Sequence, residues 1–170
     1  MGSMADLADR LDRATDGLVD LGPAIAAGEP WALTDVYGPG PESSWGPREV
    51  LAHVAEMLPF WMGEIERIVD AGVGPAGGEP PAFGRLEDDP IRVQVIGRDR
   101  AFPGRELLGR IDVEGRRVAA RLRALESEAG LLGRHPTRGD LSIADLAERL
   151  IVAHAEGHVT QLRESVEGAG

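Results

Sequence analysis

Four stretches of the chain place apolar residues at the spacing of an α-helix, and segments rich in Gly and Pro divide them. This periodicity constrains the fold more than any other feature, because no stretch shows strand-like alternation of comparable strength. The first covers 5–27, with Leu7, Leu11, Ala14, Leu18, Leu21 and Ile25 on one stripe, and stops at Gly28-Glu29-Pro30. A connecting loop is expected over 30–44. The second helix has a marked start: Gly46 as N-cap, Pro47 at the first helical position, and Glu49 in the first turn, where the helix dipole favours an anion. Its stripe is Val50, Val54, Met57, Trp61, Ile65 and Ile68. Pro59 falls inside it, so a kink is expected there.

Residues 72–104 are the least regular part. Gly72 to Pro81 is rich in Gly and Pro, and Ile91-Arg92-Val93-Gln94-Val95-Ile96 reads as a short extended piece. So long a connection is uncommon inside a compact domain. The preferred reading is a surface excursion over one end of the helices, and the alternative is a lid. The third helix is expected over 104–129, with Leu108, Ile111, Val118, Leu122 and Leu125 inward and Gly109 and Gly115 weakening it. A loop through Gly130, Gly133, Pro136 and Gly139 follows. The fourth helix opens with Ser142 as N-cap, Asp145 three residues on, and Leu141 and Leu146 as a hydrophobic staple. Its stripe is Ile143, Leu146, Leu150, Ile151, His154, His158 and Leu162.

An all-α fold is therefore expected: an antiparallel four-helix bundle with a long irregular connection between its second and third helices. A chain of 170 residues suits a single domain, here over 4–167, with residues 1–3 read as an expression-tag remnant.

Composition removes several classes of function. Without cysteine there is no disulfide, thiolate metal site or cysteine nucleophile, so any metal must be held by nitrogen and oxygen. All 18 basic residues are arginine, which excludes Schiff-base chemistry on lysine. A net charge of -11 argues against nucleic acid and against an anionic membrane surface. Arg116, Arg117, Arg121 and Arg123 form the densest basic cluster and read as a solvated helix face. No stretch approaches the ~18 apolar residues of a membrane span, and no secretory leader is visible, so a cytoplasmic protein is expected.

Two of the four histidines stand at i and i+4 in His154-Ala155-Glu156-Gly157-His158, which puts both imidazoles on one helical face, close enough to share an ion. They fall within the apolar stripe, where unliganded ring nitrogens would lack partners. His53 lies one turn before Met57 and also faces inward, and a third imidazole completes a three-nitrogen face with a coordination position left open. For an isolated HxxxH the preferred reading is the bland one, core histidines hydrogen-bonded to their neighbours, and it is His53 on the second helix that shifts the balance. His135, before Pro136, reads as a surface or capping residue. Glu156 is turned away from its histidine neighbours. Glu56 could orient a ligand or act as a base, but a solvated face is the preferred reading.

Trp45-Gly46-Pro47-Arg48-Glu49-Val50-Leu51-Ala52-His53-Val54-Ala55-Glu56 resembles the second-helix signature of the DinB-like superfamily, which includes the YfiT-like metal-dependent hydrolases and low-molecular-weight thiol transferases. Gly139 to Leu146, running on to His154-Ala155-Glu156-Gly157-His158-Val159-Thr160-Gln161-Leu162, resembles its last-helix signature. The resemblance implies a divalent metal, zinc, nickel or iron, held by His53, His154 and His158, a small-molecule substrate, and a homodimer. It implies transfer of a thiol such as mycothiol or bacillithiol to a small electrophile. The alternatives are a hydrolase using metal-bound water and a metal-binding or ligand-sensing bundle without turnover.

Overall fold

The computed structural model describes residues 2–34 and 42–168. The protein is mostly helical, with one small two-stranded sheet. Helix α1 (Met4–Asp20) opens with a capping box, in which Ser3 Oγ accepts from the Asp6 N–H at 3.1 Å and Asp6 Oδ2 accepts from the Ser3 N–H at 2.9 Å. The expected single helix over 5–27 breaks at Leu21 and resumes as α2 (Gly22–Gly28). Pro23 explains the break: it has no N–H to offer the carbonyl of Val19, and its ring crowds that carbonyl.

Helix α3 (Pro47–Ala71) begins where expected, with Gly46 as N-cap, and ends on Gly72, whose φ of 64° and N–H bonds to the carbonyls of Ile68 and Val69 make a left-handed C-cap. It runs without interruption through Pro59, which is exposed. The extended piece expected over 91–96 is instead part of helix α4 (Pro90–Asp99). Asp89 is its N-cap, accepting from the N–H groups of Ile91 and Arg92 at 3.0 Å each, and Pro90 supplies the first helical residue. The buried positions Arg92, Ile96 and Asp99 follow helical spacing, and Ile91 is left exposed. The connection expected to be irregular therefore carries a helix of its own.

Helix α5 (Gly104–Arg123) is shorter than expected and gives way to turns. The loop expected after it forms a hairpin, β1 (Leu132–His135) paired antiparallel with β2 (Gly139–Ser142), in the register Leu132 to Ser142 and His135 to Gly139. The chain at 73–83 seals the outer edge of β1: Leu132 donates to the Val73 carbonyl, Arg134 to that of Pro81, and Phe83 to that of Arg134. Helix α6 (Ile143–Leu146) starts on Ser142, whose Oγ accepts from the Asp145 N–H at 3.0 Å, and Leu141 and Leu146 are both buried beside this cap. A π-helical stretch (Ala147–Val152) joins it to α7 (Ala153–Glu167).

Helix α1 packs on α5, on the π-helical stretch and on α7, while α3 packs on α5, α4 and α7. The buried apolar residues form one continuous cluster. Gly115 of α5 sits against Thr15 of α1: a Cβ there would lie 2.3 Å from Thr15 Oγ1, so the glycine that weakens the stripe in sequence lets the two helices touch. The arginine cluster of α5 is solvated as expected, and each member is ion-paired, Arg116 with Asp12, Asp16 and Asp112, Arg117 with Glu114, Arg121 with Glu66, and Arg123 with Asp9 and Asp12. No described helix is long and apolar enough to cross a membrane.

Candidate metal centre

Helices α3 and α7 bring the three expected histidines together. The ring centroids of His53 and His154 are 5.1 Å apart, those of His53 and His158 5.2 Å, and those of His154 and His158 4.8 Å. A fourth group joins them from the segment expected to be a connecting loop: Glu42, from the 3₁₀ turn Glu42–Ser44. One ligand atom from each of Glu42, His53, His154 and His158 fits within 4.8 Å of the others. The Nε2 atoms of His53 and His154 are 3.3 Å apart, which matches the edge of about 3.3 Å expected between nitrogens bound tetrahedrally to one ion at about 2.0 Å. Glu42 Oε2 lies 2.9 Å from His154 Nε2 and 3.8 Å from His158 Nε2, and Oε1 lies 3.4 Å from His53 Nε2.

The hydrogen bonds behind these atoms fix one ring in detail. Gln161 donates from Nε2 to the carbonyl of Glu42 at 2.7 Å and, at 3.4 Å, to that of Trp45. Its amide is thereby oriented, and Oε1 accepts from His158 Nδ1 at 2.9 Å. With the proton on Nδ1, His158 presents the lone pair of Nε2 to the cluster. That nitrogen is buried and has no hydrogen-bond partner among the described residues. An orphaned buried imidazole nitrogen beside two others and a carboxylate is the arrangement a divalent ion satisfies, so the residues fit a metal. His53 is packed edge-on to Trp45, at 5.4 Å between centroids.

Burial, reinforced by the positive character of the neighbouring imidazoles and Arg92, holds His53 well below the usual histidine range. Burial likewise pushes His158 down to about 4, with His154 adding to the effect. Both rings are therefore neutral near pH 7, as ligands must be. Burial opposes the charge of Glu42, but the hydrogen bond to His154 and the charges of the histidines and Arg92 outweigh it and leave the carboxyl below its ordinary value. Arg92, itself buried, donates to Glu42 Oε1 and to the Glu87 carbonyl, and its guanidinium lies 5.3 Å from the Trp45 ring.

A cavity of about 820 Å³ takes in Glu42, His53 and His154 and extends past Trp61, Arg85 and His135 to the exposed Leu86, Arg138 and Arg149. His135, expected at the surface, is buried against Trp61 and Phe83 and lines this cavity. The hairpin accounts for this, since β1 turns alternate residues toward the core. Its Nδ1 accepts from the Thr137 N–H at 3.3 Å. Glu56, expected on a solvated face, is paired with Arg85, and only 8% and 9% of the two side chains are exposed. Glu156 faces away as expected and, with Glu148, holds Arg10.

Comparison with models of known protein families, with curated proteins and with solved structures finds no match to the chain.

Proposed function

We propose that this protein is a divalent-metal-dependent enzyme acting on a small molecule, of the DinB-like kind that the two helix signatures resemble. The observation that carries the reading is the convergence of His53, His154, His158 and Glu42 beside a cavity large enough for a substrate. The packing of α1 and α3 against both α5 and α7 is the ring of contacts a four-helix bundle makes, and it supports that finer description.

Three neutral imidazoles and one carboxylate leave a net positive site on a divalent ion, which suits an anionic nucleophile. A divalent ion held there supplies Lewis acidity and lowers the pKa of a coordinating thiol or water. The chain's own part is to hold the donors. Gln161 fixes His158 and the turn bearing Glu42, while Arg92 offers Glu42 an alternative partner. Thiol transfer is the first chemistry to test, with hydrolysis the alternative. A purely structural metal site has no need of the open space beside the ligands.

Metal analysis of protein purified without nickel resin tests the reading. The wild type is expected to carry close to one equivalent of zinc, nickel or iron, and His154→Ala to lose most of it. Equal trace amounts in both would refute the metal centre. In a cobalt-substituted form, a low-molecular-weight thiol should add a sulfur-to-cobalt charge-transfer band. An unchanged spectrum at saturating thiol would refute thiol transfer.

A further inference from the structure

Three side chains on one face of α3 fix Arg85 and the chain just before it, and Glu64 among them also accepts from Arg67 Nη1 at 2.9 Å. Glu56, Phe60 and Glu64 follow one another at i, i+4 and i+8, so they lie along one side of the helix. Glu64 accepts the N–H of Gly84, and Gly84, at φ 83°, turns the chain with no room for a side chain: a Cβ there would meet His135 at 2.6 Å. The next residue, Arg85, lays its guanidinium 3.7 Å from the centroid of the Phe60 ring and gives Nη2 to both oxygens of Glu56. Burial pushes the Glu56 carboxyl up in spite of this pairing, so the pair is well withdrawn from water.

The pairing uses one nitrogen of three. Among the described residues nothing accepts from Nε or Nη1 of Arg85, and its side chain, 9% exposed, lines the cavity that contains Glu42, His53 and His154. Neither nitrogen is closed off from solvent, so both are available to donate to an acceptor in the cavity. At the cavity margin Arg138 has no acidic partner among the described residues, and Arg149 has only Asp145 at 3.9 Å. Glu87 and Asp88 also line the cavity, both at its exposed margin.

We propose that Arg85 is a substrate-anchoring residue, and that the cavity takes a small molecule bearing a carboxylate or phosphate group, which Arg85 binds while the rest of the molecule extends toward the histidine cluster. This rests on the reading of the cavity as a substrate site and narrows the substrate to an anion. Glu56 and Phe60 hold the guanidinium, and Glu64 holds the backbone at Gly84, before any ligand arrives, which reduces the ordering cost of binding.

Calorimetric titration of the metal-free and zinc-loaded protein with succinate, with inorganic phosphate and with neutral succinamide tests the proposal. Succinate or phosphate should bind both forms, more weakly as salt is raised, and succinamide should bind at least about tenfold more weakly, as loss of a charge-assisted hydrogen bond implies. Preference between the two anions identifies carboxylate or phosphate as the group recognised. The double variant Glu56→Gln/Arg85→Gln, which leaves no buried charge unpaired, should lose about tenfold or more in anion affinity while keeping its zinc content. A folded double variant that binds the anion like the wild type would overturn the proposal. So would wild-type protein that binds neither anion, or binds succinamide equally well, whether or not the variant folds. Because the metal-free protein is titrated too, failure to bind zinc would count against the metal centre alone.

Discussion

The buried, neutral state of His158 has a consequence for stability that can be worked out from the structure. In the unfolded chain this imidazole titrates near 6.5, whereas in the folded protein it resists protonation down to about 4. Between these values the unfolded state binds a proton that the folded state refuses, so stability is fully present above about pH 6.5 and is lost as the pH falls toward 4. Integrating one site between about pH 7.5 and pH 4.5 gives a loss of about 2.5 kcal/mol. The assay is urea unfolding of chelator-treated protein at both pH values, for the wild type and for His158→Asn, whose amide keeps a donor close to the place of Nδ1. The groups facing this ring, His53, His154, Glu42 and Arg92, are common to both proteins, so the difference between the two pH responses belongs to the substituted ring and its coupling to them. The variant should be flatter by about 2 kcal/mol over this interval. Parallel responses, equal within about 0.5 kcal/mol, would refute the view that His158 is held neutral by burial.

Three further outcomes are expected. Gly115→Ala should destabilise the protein by about 1–3 kcal/mol, against the helix-propensity trend, because its Cβ would meet Thr15 Oγ1; thermal melting with Thr15→Ala in the same chain should recover part of the loss. Gln161→Leu should weaken zinc binding by about 10–100-fold in a competition titration with a chromogenic chelator, since it releases both His158 and the turn bearing Glu42. Asp89→Ala should cost about 1 kcal/mol in chemical unfolding, the usual effect of removing an N-cap carboxylate.

The histidine part of the site is legible in sequence because helices turn spacing into direction. His154 and His158 stand one turn apart within an apolar stripe, and His53 stands in register with Met57. Glu42 escapes that logic. It comes from a Gly- and Pro-rich segment without periodicity, and its partner His154 is 112 residues away. The one local hint is its place just ahead of the Trp45-Gly46-Pro47 helix start. Arg85 is hidden for a similar reason, although its three supports on α3 do follow helical spacing. Helix α4 was masked by its β-branched residues, which suggest a strand until Asp89-Pro90 is recognised as a cap and first turn. The hairpin left a fainter trace, since strands of four residues built on Gly133 and Gly139 show almost no alternation. The inward direction of His135 follows from that hairpin and is equally faint in sequence.

The π-helical stretch at Ala147–Val152 lies within the last helix, between α6 and α7. Such a stretch is the structural form of a residue added to an α-helix without breaking it. Taking one residue out of 147–152 would restore a regular helix while keeping the Ser142 cap and the apolar composition. Because the wider π turn takes up the roughly 100° of the extra residue, His154 and His158 would keep nearly the direction they now have toward His53. What the extra residue changes is the local backbone at 147–152, where Arg149 and Leu150 line the cavity. A chain of this kind that lost the residue would keep the histidine cluster and present a different cavity wall beside it.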